Sequence, residues 1–253
     1  MAGGGAAESA VRSLYIHMPF CSHKCHYCDF YSIVDTQDRQ AAFTARLVRE
    51  LWAWAPVARG APLRTIFVGG GTPSLLRVEL WRDVLGALRE AYDLSGIEAG
   101  EGEFTVECNP ESVSEELVEA LVAGGVNRVS MGAQSFDRRH LKTLERLHNP
   151  ENVPRAHEIV RSGGIRRTSI DLIYGVPGQT PEHWDADLSA AIAIGTEHVS
   201  CYNLTYEPAT AMTARLARGE FTPVDEDAEI AMFEMTSARL VGAGLRRYEI
   251  SNY

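Results

Sequence analysis

The sequence predicts an α/β protein built as a partial (β/α)6 TIM-like barrel. From Ser13 onward, short apolar runs alternate with longer helical patterns, which is the signature of βα units and a parallel sheet. About six such units can be counted, whereas a closed eight-unit barrel takes about 250 residues. Six units with their loops in a chain of 253 residues therefore fit an open barrel. Polar residues also gather just past the apolar runs, at the strand ends where parallel barrels carry their chemistry.

In chain order, residues 1–12 are dominated by Gly and Ala without periodicity and read as a disordered tail, leaving 13–253 as the barrel. Strands are expected at 14–18, 65–68, 103–107, 128–132, 168–173 and 198–204. Helical patterns fall at 39–54, 75–92, 114–123, 138–147, 153–162, 181–194 and 225–241. Ser114, with Glu115 and Glu116 in the next turn and apolar Leu117, Val118, Leu121 and Val122, is a capped amphipathic start, and Gly124-Gly125 is its stop.

The composition is that of an ordinary globular chain, 45% hydrophobic and 23% charged. A net charge of −10 with no Lys/Arg cluster argues against a nucleic-acid surface. No apolar run reaches the roughly 18 residues of a membrane span, and no secretory pattern is seen, so the expected location is cytoplasmic. Cys108 and Cys201 lie inside apolar runs and read as small core residues.

The strand ends supply the candidate site: Cys21 after the first, Gly69-Gly70-Gly71-Thr72 after the second, Glu107 and Asn109 after the third, Gln134 and Ser135 after the fourth. Asp171 sits among β-branched neighbours in the fifth run, where an acid is costly without a partner. The glycine run lets backbone N–H groups approach a ligand, and the helix after it favours an anionic group. It lacks the Gly-Lys-Ser/Thr ending of a nucleotide loop and the spacing of a dinucleotide fingerprint.

Cys21, Cys25 and Cys28 form a Cys-x3-Cys-x2-Cys loop. Three crowded thiolates repel one another unless a metal centre neutralises them. Zinc completed by His23 or His26, an iron–sulfur cubane with one open iron, and a disulfide with a spare thiol all stand as readings of the spacing.

This loop, with Tyr15-Ile-His-Met-Pro-Phe20 before it and Asp29-Phe30 after it, resembles the radical S-adenosylmethionine (SAM) superfamily. Within it, the chain is most similar to the branch of anaerobic coproporphyrinogen oxidases and HemW-type heme chaperones. The resemblance implies the radical SAM type of partial barrel and a [4Fe-4S] cluster on Cys21, Cys25 and Cys28 whose open iron takes SAM. It implies SAM contacts from Gly70, Gly71 and Thr72, from Glu107 in Val106-Glu-Cys-Asn-Pro110, from Gln134 in Gly132-Ala-Gln-Ser-Phe136, and from Arg146 and Asp171. Tyr15, Tyr27 and Thr205 are carried over on looser matches, and one or two SAM molecules fit this set. Read without the resemblance, Arg146 is a solvated helix residue and Asp171 a core acid in a salt bridge.

Phe30 stands where the oxidase branch carries a fourth cysteine, and the chain reaches Tyr15 without that branch's longer N-terminal extension. Both features resemble the chaperones, which implies heme as cargo, heme-acceptor proteins as partners and an electron donor for the cluster. Membrane-associated acceptors and a homodimer are compatible with that reading. The alternative is an oxygen-independent coproporphyrinogen III dehydrogenase, an enzymatic activity not expected here. The family's C-terminal domain, with its His-Asn-x-x-Tyr-Trp motif, is expected to be missing, because no such motif occurs in the sequence.

Overall fold

The structure is a computed structural model that describes residues 10–253; most of the expected tail, residues 1–9, lies outside the described residues. Six parallel strands form one sheet in the order β1-β4-β5-β6-β7-β8: β1 (Ser13–Met18), β4 (Thr65–Gly70), β5 (Glu103–Cys108), β6 (Arg128–Gln134), β7 (Arg167–Tyr174) and β8 (His198–Asn203). The strictly sequential order is that of a (β/α) barrel. β1 and β8 remain its edges, so the barrel is partial, as expected. The edge at β8 is occupied by the chain's last residues: Val199 and Tyr253 exchange backbone hydrogen bonds, and Cys201 N–H donates to Ser251. Two short strands, β2 (Phe20–Cys21) and β3 (Ile33–Val34), pair with each other around the cysteine loop.

The sheet is covered by α1 (Gln40–Ala58), α2 (Val78–Ala91), α4 (Glu115–Ala123), α6 (Asn152–Ser162), α7 (Pro181–Ile194) and α9 (Glu226–Gly242). Shorter helices are α3 (Ser95–Glu98), α5 (Arg138–Thr143) and α8 (Ala211–Ala217). Side chains alternate across a strand, and this alternation separates two chemistries. Ile66, Val68, Phe104, Val106, Val129, Met131, Ile170 and Leu172 are buried in the main apolar core with Trp81, Leu88 and Trp184 from the helices. The intervening positions, Thr105, Ser130, Ser169 and Ser200, are also buried but polar. A typical TIM barrel fills its interior with branched apolar side chains. Here hydroxyls and acids line it instead, which suits a ligand chamber better than a core.

The expected strands all form, with ends shifted by up to two residues. The expected 138–147 helix is corrected. α5 stops at Thr143, and Glu145 takes a left-handed φ of 53°. Glu145 N–H donates to Lys142 and Arg146 N–H to Leu141, which is a Schellman ending with a non-glycine residue in the left-handed position. Arg146 is therefore turned inward, off the helix. The short helix α8 carries no apolar periodicity long enough to announce it and was absent from the expected set.

On α7, Trp184 is fully buried; its Nε1–H donates to Thr236 Oγ1 on α9 at 2.8 Å, and its ring lies 5.4 Å from that of Tyr174. Trp184→Ala is expected to cost about 3–5 kcal/mol of folding stability, measured by chemical denaturation. A loss under about 1 kcal/mol would show that the α7–α9 seam repacks without it.

Candidate functional site at the strand ends

The cysteine loop leaves β1 and is fixed to the neighbouring strand end by backbone contacts: Gly71 N–H donates to Met18 and Thr72 N–H to Phe20, each at 2.7 Å. A Cβ on Gly71 would lie 2.7 Å from the Phe20 carbonyl oxygen, so no other residue permits this approach. Gly70 has φ +113°, and a Cβ there would strike the His17 ring. The glycine run is thus needed first to bring the cysteine-bearing segment against β4. The same packing leaves Thr72 Oγ1 3.6 Å from Cys21 Sγ.

All five cysteines are free, and Cys108 and Cys201 are buried core thiols, as expected. Burial pushes the Cys28 thiol up in pKa, with the Phe30 backbone N–H and Lys24 pulling the other way. Arg146 Nη1 donates toward Cys25 Sγ at 3.7 Å, and its Nη2 donates to the Gly132 carbonyl at 3.0 Å. Burial works against the Arg146 charge, but Tyr27 and Cys25 outweigh it and raise the pKa. Arg146 Nε is buried with no partner among the described residues. A guanidinium aimed at a thiol, with a donor left over, is the provision expected beside an anionic centre.

β6 ends in an irregularity of register between Gly132 and Gln134, and Gln134 has φ +65°. A bulge of this kind re-aims a side chain. A Cβ on Gly132 would fall 2.7 Å from Gln134 Nε2 and 2.9 Å from Arg146 Nη2, so both side chains converge over that glycine. The following turn is pinned by buried Asp187, which accepts from Ser135 Oγ at 2.8 Å and Phe136 N–H at 2.6 Å. Burial raises the Asp187 pKa to about 6 despite those donors.

Two acids face the chamber. Glu107 accepts from Gly70 N–H at 3.2 Å, and burial followed by repulsion from Asp171 raises its pKa to about 7. Asp171 accepts from Ser130 Oγ at 3.2 Å, and burial raises its pKa although Ser200 and Ser130 donate to it. Among the described residues no salt bridge satisfies Asp171; two serines on neighbouring strands hold it. Tyr27 packs among Leu144, Ile173, Val176, Leu204 and Met212, and burial drives its pKa up. Tyr15 is exposed, stacks on Phe67 at 6.2 Å and donates to His17 Nδ1 at 3.0 Å, while His17 Nε2 donates to the Tyr31 carbonyl.

Cys25, Tyr27, Gly70, Glu107, Gln134, Arg146 and Asp171 are therefore linked by contact or field around one chamber, with Cys21, Gly71 and Thr72 at its rim. Thr205 is exposed, and its hydroxyl donates only to Asn203, so it is not drawn into that set. Sequence reasoning missed Ser130, Ser200 and His17. Their signal was present as polar residues at every second position of β8 and β1 and, with Gly132 interrupting, of β6. A cleft of about 740 Å³ between α4 and α6, lined by Glu115, Val122, Arg155 and Ile159, lies in the outer helix layer and includes none of these residues.

The donor set fits a [4Fe-4S] cluster: three thiols on one loop, with Thr72 and Arg146 directed at two of the sulfurs. Comparison with known proteins agrees. The "Heme chaperone HemW" of Lactococcus lactis is 36% identical over 241 residues, covering 95% of this chain and 62% of the relative. That of Escherichia coli K12 is 37% identical over 244 residues, with 95% and 62% covered. The chain thus spans about three-fifths of the length of the curated relatives it matches. The solved structure of the coproporphyrinogen III oxidase HemN from Escherichia coli, described as a radical SAM enzyme, superposes with a TM-score of 0.84 at 27% identity, covering 95% of this chain and 54% of that one. The radical SAM superfamily model matches residues 15–191, which takes in the cysteine loop and the strands from β1, entered at Tyr15, to β7, and with the chamber now in view the chain belongs to the radical SAM superfamily.

Proposed function

We propose that this chain is the [4Fe-4S]- and SAM-binding barrel of a heme chaperone, which holds heme and passes it to acceptor proteins. The observation that carries this reading is the likeness to heme chaperones at 36–37% identity along 95% of the chain. Phe30 agrees with it: the side chain in the position of the oxidases' fourth cysteine is apolar and 66% exposed. When bound, a [4Fe-4S] cluster would supply the electron for reductive SAM chemistry. Cys21, Cys25 and Cys28 would hold it, and Thr72 and Arg146, directed at two of these sulfurs, would stabilise added negative charge there. Glu107 and Asp171 provide anionic partners for the positive groups of SAM, and the Gly70–Gly71 turn keeps side chains out of the way. Heme-acceptor proteins, membrane-associated ones among them, an electron donor and a homodimer belong to the same proposal. No helix among the described residues is long and apolar enough to cross a membrane.

The test opposes chaperone and oxidase in one anaerobic assay. With reductant, SAM and coproporphyrinogen III, the protein is expected to form no protoporphyrinogen, while heme loaded onto it is delivered to an apo-acceptor. Sustained decarboxylation would replace the chaperone reading with the oxidase.

A further inference from the structure

The cysteine loop is held by an element nearly two hundred positions downstream. Met212 N–H, at the start of α8, donates to the His26 carbonyl at 2.8 Å, and His26 N–H donates to the Leu144 carbonyl at 3.2 Å. The loop is thereby strapped between α8 and the end of α5. One nitrogen of Arg215, Nη1, donates both to His26 Nδ1 and to the Thr143 carbonyl, each at 3.0 Å. Arg215 Nε donates to Glu220 at 3.0 Å, and the guanidinium lies 5.5 Å from the centre of the Phe221 ring. A planar fork held from several directions is pre-organised, so little freedom is lost per bond it makes. An imidazole that accepts at Nδ1 carries its proton on Nε2.

We infer that Arg215 is a positioning residue for the iron–sulfur cluster. Acting through His26, it fixes the segment between Cys25 and Cys28 and couples that segment to the β8–α8 connection. The inference rests on the [4Fe-4S] reading of the cysteine loop. Its physical basis is that ligands on a short irregular loop must be ordered before they can chelate, and every residue ordered costs backbone entropy. The Arg215–His26–Thr143 contact meets that cost in the folded protein before iron arrives. Arg146 donates toward a sulfur, whereas Arg215 meets the cysteine loop at His26.

The test compares wild type with Arg215→Ala, Arg215→Lys, His26→Phe and Arg218→Ala after anaerobic reconstitution. The readouts are iron and sulfide content, the EPR spectrum of the reduced cluster, and the rate of cluster loss to a chelator; circular dichroism and thermal melting follow the fold. Arg215→Ala is expected to lose its cluster about tenfold faster, the usual scale for a partner behind a metal ligand, with an altered EPR line shape. Arg215→Lys keeps the charge but not the fork, and is expected to recover only part of the loss. His26→Phe should match Arg215→Ala, and the double variant should be no worse than either, because the two act as one unit. Arg218 also pairs with Glu220 but, among the described residues, makes no hydrogen bond or ion pair with the loop, so Arg218→Ala should behave as wild type. Unchanged EPR and chelation rates in Arg215→Lys and His26→Phe would overturn the inference even if Arg215→Ala failed to fold, as would equal damage from Arg218→Ala. A wild-type protein that takes up one zinc and no sulfide would overturn the cluster reading instead.

Discussion

Alanine at any one of Cys21, Cys25 or Cys28 is expected to reduce bound iron and sulfide from about four each per chain to nearly none after anaerobic reconstitution, with loss of the broad sulfide-to-iron absorbance. The fold should survive. The loop lies outside the six-stranded sheet, and its thiols are only half-buried, so removing one leaves no core cavity. The zinc alternative makes a different demand. Tetrahedral Zn–S bonds of about 2.3 Å would draw the sulfurs to roughly 4 Å of one another with a histidine nitrogen beside them. His26 Nδ1 is engaged by Arg215, and His23 Nε2 faces Glu145 at 3.8 Å. Metal analysis giving one zinc per chain, lost on replacing His23 or His26, would reverse this assignment.

The strands were legible because each is an apolar run bounded by turn residues, and the strand-end rule then located most of the chamber. Glu107 and Asp171 could be read as ligands of one chamber for the same reason: both are acids at inward positions of strands, β5 and β7, that flank β6. Arg146 could not be read from periodicity. A window of helical pattern runs through it, and only the left-handed Glu145 ending turns it inward. Thr205 stands apart from the others: its place after β8 was readable from the run before it, and its side chain is exposed with its hydroxyl on the Asn203 carbonyl. The α8 clamp was invisible because seven residues carry too few apolar repeats to be recognised, and because Arg215 and His26 are brought together by the tertiary fold alone.

Glu107 should show the conflict between stability and binding most directly. Its pKa in the folded protein is about 7, above the ordinary carboxylate value, because burial and then Asp171 disfavour its charge. Between the unfolded and folded values the native state binds more protons than the unfolded state, so stability falls as pH rises through that window and levels off above about 7. Glu107→Gln keeps an oxygen to accept from Gly70 N–H and removes the charge. Without ligand it is expected to be more stable than wild type by about 1–2 kcal/mol at pH 8, after discounting for solvent access, and nearly equal to it at pH 4. SAM affinity should move the other way. Its positive groups would neutralise the two acids, so Glu107→Gln and Asp171→Asn are each expected to weaken binding more than tenfold, since a charged partner is worth about 1.5–3 kcal/mol. Calorimetric SAM titrations across pH, paired with denaturation curves of the apo proteins, read both quantities. Unaltered affinity in both variants would remove Glu107 and Asp171 from the site and leave the glycine turn, while a Glu107→Gln protein no more stable at pH 8 than wild type would show that the acid carries no strain to be relieved.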